Sequence, residues 1–243
     1  MDIEDCFTRK GAEDALKKYL PVTKERRWPI QDRIKLYQLS QKAWDSNSSG
    51  QDAFDAFDAI CKKLRGWQVF RPGGPHWESP EIFSVLKELR DPQANSLRLS
   101  TLAEGRGHDY VLRCCMKLRD IKKLSSEDFP RMAVSKFLHF FRPDIFPIYD
   151  NAVIKNQALK TFRRQWLDFE PVLKVDNMRL NPGMAHYLKY TLWGAHLLAP
   201  CRDQVMQVFS QWLYKVEPNQ DIPRDFVLAL EAAAFEMILI GAR

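Results

Sequence analysis

The chain has 243 residues, of which 45% are hydrophobic and 28% charged, so it is long enough to bury a sizeable core without a disulfide or metal staple. The first five positions include three acidic residues and no apolar run, so we expect no signal peptide. The longest apolar stretch, Phe226–Ile240, contains Glu231 and Glu236, so we expect no membrane span. The net charge of +6 leaves a polyanionic partner open.

Helical periodicity dominates the chain, and only the short segments Gln68–Phe70 and Phe146–Tyr149 are predicted to be extended. Helices are predicted at about Ile30–Trp44, Asp52–Leu64, from Ser79 onward, and at His108–Lys122, Ser126–Phe141, Asp150–Trp166, Asn181–Leu198, Cys201–Val216 and Asp221–Arg243. We therefore predict an all-α fold, a compact helical bundle forming a single domain over residues 1–243. Two lobes, 1–105 and 106–243, are expected to enclose a cleft.

The five cysteines are scattered, and the adjacent pair Cys114 and Cys115 does not suggest a disulfide framework. Reduced thiols and a cytoplasmic location are the expectation. The sequence contains no Cys-x-x-Cys pair and no His-x-x-x-His pair, so neither a metal site nor another cofactor is expected.

Positive charge is concentrated in the middle of the chain. The segment Arg106–Arg142 holds nine Lys and Arg against four Asp and Glu, whereas Cys201–Arg243 holds four against six. This asymmetry indicates one face suited to a nucleic acid, although an unevenly charged, solvated surface would give the same pattern.

The most informative stretch is the end of a predicted apolar helix and the segment that follows it. The helix stops at Arg142-Pro143, and after a short extended piece Asp150 stands at the start of the next helix in Pro147-Ile-Tyr-Asp150-Asn-Ala-Val153. This order resembles the helix-hairpin-helix DNA glycosylase superfamily, in which a catalytic Asp ends a Pro-Val-Asp-like segment and opens a helix. The resemblance covers roughly Arg106 to Lys160 and implies a glycosylase-like fold.

The resemblance implies that Asp150 is the catalytic carboxylate. Cleavage of an N-glycosidic bond develops positive charge on the deoxyribose, which a nearby carboxylate can stabilise while it orients a water molecule. The dipole and N–H groups of a helix N-terminus favour the ionised carboxylate. The alternative is that Asp150 is only a helix N-cap, for which Asp is a common residue.

The chain departs from the family at three points. The segment Leu124–Arg131 lacks the glycines of the family's hairpin, and no cysteine spacing fits the iron–sulfur cluster that some members carry. Members that also cut the DNA backbone have a Schiff-base lysine, and an ungapped comparison places Met132 there. Lys136 lies one helical turn later and could serve only if the loop is rearranged.

Two groups of residues are predicted to hold the DNA. Phosphate and backbone contacts are assigned to Arg131, Ser135, Lys136, Arg142, Asn151 and Lys155. A pocket for a flipped base is assigned to Trp67, Phe70, His76, Trp77, Tyr190 and Trp193. His186, Tyr190 and Trp193 fall near one face of the helix that starts at Asn181, although aromatic stripes on helices usually face the core.

The sequence therefore predicts a monomeric, monofunctional DNA glycosylase that excises a modified base from double-stranded DNA and leaves an abasic site, with Asp150 and Lys136 as catalytic candidates. The absence of the Gly-rich hairpin and the long N-terminal part with its aromatic Gly-Gly loop indicate a specialised branch, and phage-defence glycosylases are similar to this chain in size. That similarity implies glucosylated hydroxymethylcytosine in phage DNA as the substrate, with ordinary base damage as the alternative. The rival functions are a non-catalytic DNA-binding module on the same scaffold and a helical protein–protein adaptor.

Overall fold

The computed structural model describes residues 2–25, 30–44, 50–66, 79–121, 131–171, 180–218 and 223–242. Within these ranges every regular element is helical and there is no strand, which confirms the all-α class. The buried apolar side chains of these ranges form one hydrophobic core. The two-lobe division and the helix-hairpin-helix arrangement stay predictions.

The α-helices of the described residues are α1 (Ile3–Cys6), α2 (Arg9–Glu25), α3 (Ile30–Trp44), α4 (Gly50–Gly66), α5 (Ser79–Glu88), α6 (His108–Arg119), α7 (Arg131–Phe141), α8 (Leu159–Thr161), α9 (Arg163–Asp168), α10 (Pro182–Leu198), α11 (Arg202–Val216), α12 (Arg224–Ala229) and α13 (Glu231–Gly241). Short 3₁₀-helices lie at Pro92–Ser96, Ser100–Glu104 and Ala199–Cys201, and a π-helix lies at Asn151–Ala158. The start of α10 follows from its sequence, because Asn181 accepts a hydrogen bond from the Gly183 N–H at 2.8 Å and Pro182 occupies the first turn.

The centre of the molecule is α13, in which every residue is buried. A helix that is apolar on all sides is stable only where other helices surround it. It packs against α2, α10 and α11, and this explains why the longest apolar stretch of the sequence lies inside the protein. Among the described helices none is long and apolar enough to cross a membrane.

The contact between α2 and α13 is unusually close at Gly241. A Cβ atom at this position would lie 1.9 Å from the carbonyl oxygen of Ala15, so only glycine fits without a backbone shift. The N-terminal helix therefore packs directly on the C-terminal one, and the core joins residues from both ends of the chain.

The helices differ from those predicted at several ends. Helix α2 was not predicted from the sequence. The single helix expected over Asp150–Trp166 is divided into a π-helix and two short α-helices that meet at Phe162. The last helix is likewise interrupted at Leu230, between α12 and α13. The segment Phe146–Tyr149 is non-helical, as expected, whereas Gln68–Phe70 lies outside the described residues.

Candidate functional site around Asp150

Asp150 lies immediately before the π-helix, and its two carboxylate oxygens make different contacts. Oδ1 accepts a hydrogen bond from the Val153 N–H at 3.1 Å, which is the contact expected of a helix cap. Oδ2 lies 3.9 Å from the Nζ atom of Lys136. The capping contact and a charged pairing are therefore both present in one side chain.

Lys136 reaches this position from the second turn of α7. Its side chain is 4% exposed and that of Asp150 is 13% exposed, so the pair is largely removed from water. Lysine is almost never buried to this extent without a charged partner. The residue predicted to contact DNA phosphates is therefore directed at the candidate catalytic carboxylate.

The irregular segment before Asp150 is buried, so its backbone polar groups need partners inside the protein. His139 Nδ1 donates to the Phe146 carbonyl at 2.7 Å, and the Tyr187 hydroxyl donates to the Pro147 carbonyl at 3.1 Å. These two side chains come from α7 and α10 and fix the first half of the segment.

The second half of the segment is held by Ser135 and Glu236. The Tyr149 N–H donates to Ser135 Oγ at 3.0 Å, and the Ser135 hydroxyl lies 3.3 Å from the Tyr149 carbonyl oxygen. The Ile148 N–H donates to the Glu236 carboxylate. All four residues that precede Asp150 are thus fixed through their backbone by side chains of three helices.

Glu236 is itself part of a buried network. Both of its carboxylate oxygens accept hydrogen bonds from Arg33, at 3.1 and 2.8 Å, and Arg33 also donates to the Tyr19 hydroxyl at 2.7 Å. The Arg33 and Glu236 side chains are 0% and 1% exposed. The bidentate pair joins α3 to the core helix α13, and Glu236 in turn contacts the segment that carries Asp150.

His139 is a structural residue and not a candidate proton donor. Burial, followed by the nearby charge of Arg33, lowers its pKa to about 3. Because Nδ1 donates to the Phe146 carbonyl, Nε2 of the neutral ring accepts the hydrogen bond from the Tyr37 hydroxyl at 2.9 Å. The ring therefore holds one tautomer that fixes the segment.

The helix after Asp150 is wider than an α-helix. The Asp150 carbonyl accepts hydrogen bonds from both the Ile154 N–H at 2.8 Å and the Lys155 N–H at 3.1 Å, so the α-helical and π-helical patterns coexist in its first turn. π-helical turns are rare and occur frequently at functional sites.

The residues predicted to bind DNA fall into two groups. Lys155 is exposed and Arg131 is partly exposed, so both can reach a ligand. Ser135 is buried on the Tyr149 backbone, and Arg142 bonds to Asp144 and to backbone carbonyls of Ala94 and Leu97, so the structure gives these two residues internal contacts instead of phosphate contacts. Asn151 is the first residue of the π-helix.

The predicted base pocket is not assembled by the described residues. Tyr190 and Trp193 are buried, with Tyr190 against Tyr149 and both residues against Phe235, so they belong to the core. Trp67, Phe70, His76 and Trp77 lie outside the described residues. Two clefts in the described part are lined by residues of other regions and by neither Asp150 nor Lys136.

Two residues that were not among the predicted site residues lie against Tyr149 and Trp166. His186 was placed on an aromatic helix face, yet it bonds through Nε2 to the Tyr149 hydroxyl at 2.8 Å. Lys189, one turn later on α10, lies 4.9 Å from the Trp166 ring centroid. The i to i+3 spacing of His186 and Lys189 was the available signal for a shared face.

Within the described residues no group of three or more His, Cys, Asp or Glu side chains is arranged to hold a metal ion. No family model, no curated protein and no solved structure matches the chain.

Proposed function

We propose that the protein is a DNA glycosylase that hydrolyses the N-glycosidic bond of a modified nucleotide in double-stranded DNA. The observation that supports this most directly is the buried pairing of Asp150 with Lys136, whose charged atoms are 3.9 Å apart. The pair lies at the end of the segment Phe146–Tyr149, in which the backbone of every residue is hydrogen-bonded to a buried side chain. Such fixation holds a reacting carboxylate in one geometry, which is what transition-state stabilisation requires.

A structural explanation of the pair is weaker than a functional one. Replacing a buried ion pair with apolar residues is often neutral or stabilising, so a buried pair is poor evidence for a stabilising contact. Titratable groups held in low-polarity surroundings beside a specific charged partner are typical of functional sites. The cap contact of Asp150 needs only an uncharged oxygen and does not explain Lys136.

In the proposed reaction, water attacks C1′ of the deoxyribose, the bond from C1′ to the base nitrogen breaks, and the base leaves with the bonding electrons. A proton from the attacking water is lost to solvent or to the departing base. Asp150 stabilises the positive charge that develops on the sugar, and Lys136 is the cation paired with that carboxylate. The product is an intact strand with an abasic site.

For the substrate we propose a modified base, with glucosylated hydroxymethylcytosine of phage DNA as the first candidate and an antiviral role as its consequence. The support is the similarity in size to phage-defence glycosylases and the aromatic residues of the segment 67–77. A panel of unmodified, hydroxymethylated, glucosylated and alkylated DNA, read by mass spectrometry of released bases, tests this choice. Equal release from all four would reject the defence role.

A second candidate function is favoured by the position of Lys136. An amine this close to Asp150 could attack C1′ itself, so that the base leaves with the bonding electrons and the amine loses a proton. Cleavage of the C1′–O4′ bond then opens the sugar ring and gives a Schiff base at C1′ with a free 4′-hydroxyl, which leads to strand cleavage. The sequence comparison favoured water, because it placed Met132 at the nucleophile position. Borohydride trapping of a covalent protein–DNA adduct separates the two functions.

The decisive experiment removes the charge of Asp150 without removing its cap. Asn is as good an N-cap as Asp, so Asp150→Asn keeps the Val153 contact. It also leaves Lys136 buried without a counter-charge, which costs about 3–5 kcal/mol. The double variant D150N/K136M removes both charges and should recover most of that stability.

We expect D150N/K136M to melt close to the wild type and to lose base release by about 100-fold or more. If the double variant regains the stability of the wild type but not its base release, the pair of Asp150 and Lys136 acts in the chemical step. Wild-type turnover in the double variant would refute the catalytic assignment. It would leave the non-catalytic DNA-binding module, whose affinity for duplex DNA a gel shift at several salt concentrations measures.

A further inference from the structure

A cluster of cations and aromatic rings lies beside Asp150 and is not used by the proposed chemistry. It consists of Arg131 at the start of α7, Lys155 in the π-helix, and His186 with Lys189 on α10. Tyr149, the residue before Asp150, joins the cluster to the candidate catalytic carboxylate.

The contacts form one continuous chain through α7, the segment before Asp150, α10 and α9. The Arg131 guanidinium lies 5.4 Å from the Tyr149 ring centroid, and the Tyr149 hydroxyl is bonded to His186 at 2.8 Å. The His186 ring lies 5.2 Å from that of Trp166, over which Lys189 Nζ is placed at 4.9 Å. The two cations at the ends of this chain therefore flank one partly buried histidine.

The charges that act on this histidine are positive. Burial first, and then the nearby charges of Arg131, Lys155 and Lys189, lower the pKa of His186 to about 4. In the described part of the chain no carboxylate lies within ion-pair distance of these three cations. The neighbouring Asp150 is 3.9 Å from Lys136 instead.

Three cations that act on one histidine, with no ion-paired carboxylate among the described residues, repel one another, and an anion bound between them relieves this repulsion. The surroundings suit an anion with several acceptor oxygens. Arg131 offers a planar set of N–H donors, the two lysines offer ammonium donors, and the neutral imidazole and the Tyr149 hydroxyl add uncharged hydrogen-bonding groups.

We propose that Arg131, Lys155, Lys189 and His186 form a binding site for one phosphodiester group of the DNA strand, beside the nucleotide presented to Asp150. This proposal rests on the proposed function for the identity of the ligand, and it adds His186 and Lys189 to the DNA-binding residues. A phosphate fixed here would hold the sugar in register with the carboxylate, because successive groups along one strand keep a fixed spacing.

The site can be tested with inorganic phosphate as the probe, without any activity. Imidazole ¹⁵N NMR of the full chain reports on His186 directly. We expect phosphate to shift the His186 signals in the wild type and not in a variant that carries K155Q and K189Q. A matched control carries K160Q and R163Q, which remove the same charge from exposed positions of α8 and α9.

The DNA measurement is the dependence of duplex affinity on salt. Each lost phosphate contact lowers the magnitude of the slope of log K against log salt by about 0.9. The cluster variant should therefore have a shallower slope than the control variant. Equal slopes, or His186 signals that phosphate leaves unchanged, would overturn the site, whereas base release from DNA would still decide the proposed function. A phosphate-dependent shift in a protein that binds no duplex DNA would retain the anion site and reject the glycosylase.

Discussion

The connection between the core and the candidate site makes a specific prediction at Glu236. Its carboxylate pairs with Arg33 and accepts the Ile148 N–H, so it holds the segment that presents Asp150 from within α13. Glu236→Gln leaves the Arg33 guanidinium buried without its counter-charge. We expect this single variant to lose about 3–5 kcal/mol of unfolding free energy.

Two double variants separate the charge from the backbone contact. R33M/E236Q removes both charges but keeps an acceptor for the Ile148 N–H, and it should regain most of the lost stability. R33M/E236M has nearly the same shape and no such acceptor. The orphaned Ile148 N–H should then cost a further 1–3 kcal/mol, roughly the penalty for an unsatisfied buried donor.

Chemical denaturation measures these free energies, and hydrogen exchange of the Ile148 amide reports on the contact independently of activity. Faster exchange at Ile148 is expected in R33M/E236M alone of the two double variants. Base release should fall in the same variant, because a shift of about 1 Å in a reacting group can cost 100-fold in rate. Identical stability, exchange and base release in the two double variants would refute the argument that Glu236 positions Asp150 through Ile148.

Two further predictions concern His139 and Lys136. The depressed pKa of His139, about 3, means that the unfolded chain binds a proton below pH 6.5 while the folded chain does not, so stability rises with pH between these values and is lost as pH falls. The titration of His139 alone should lower the free energy of unfolding by about 2 kcal/mol between pH 7 and pH 5. The variant His139→Asn keeps a donor for the Phe146 carbonyl and should flatten the pH dependence of the denaturant midpoint. Equal pH slopes in the two proteins would contradict this. Lys136→Arg keeps the positive charge beside Asp150 but removes the nucleophilic amine. Base release should therefore continue if water attacks C1′ and cease if the amine attacks C1′. It is measured on the soluble variant at matched folded fraction.

Much of the helical content could be predicted from the sequence, because local signals determine it. The Asn181-Pro182 start of α10 and the apolar stretch around α13 are examples in which caps and hydrophobic periodicity are read from neighbouring residues. The π-helical turn after Asp150 gave no such signal. It differs from an α-helix by one residue per hydrogen bond, and periodicity over a single turn cannot resolve that difference.

The roles of individual site residues were harder to predict, because they depend on distant contacts. Periodicity placed His186, Tyr190 and Trp193 on one helix face, but only the packing of α13 determines that Tyr190 and Trp193 are covered by Phe235. The basic charge of Arg142 suggested a phosphate contact. Its hydrogen bonds to Asp144 and to backbone carbonyls 45 and 48 residues earlier in the chain exclude it from that surface.

Lys136 illustrates most clearly the difference between residue spacing and distance. Counting residues without gaps placed Met132 where the superfamily has its lysine and made Lys136 one turn too late. The irregular segment between α7 and the π-helix follows a path fixed by His139, Tyr187, Glu236 and Ser135, and along this path Lys136 is the residue that meets the carboxylate. Buried side chains outside the motif therefore determine which residue of α7 lies beside Asp150. Hydrolysis and covalent attack then differ by one proton on Lys136, because a paired ammonium ion stabilises Asp150 whereas the free amine is a nucleophile.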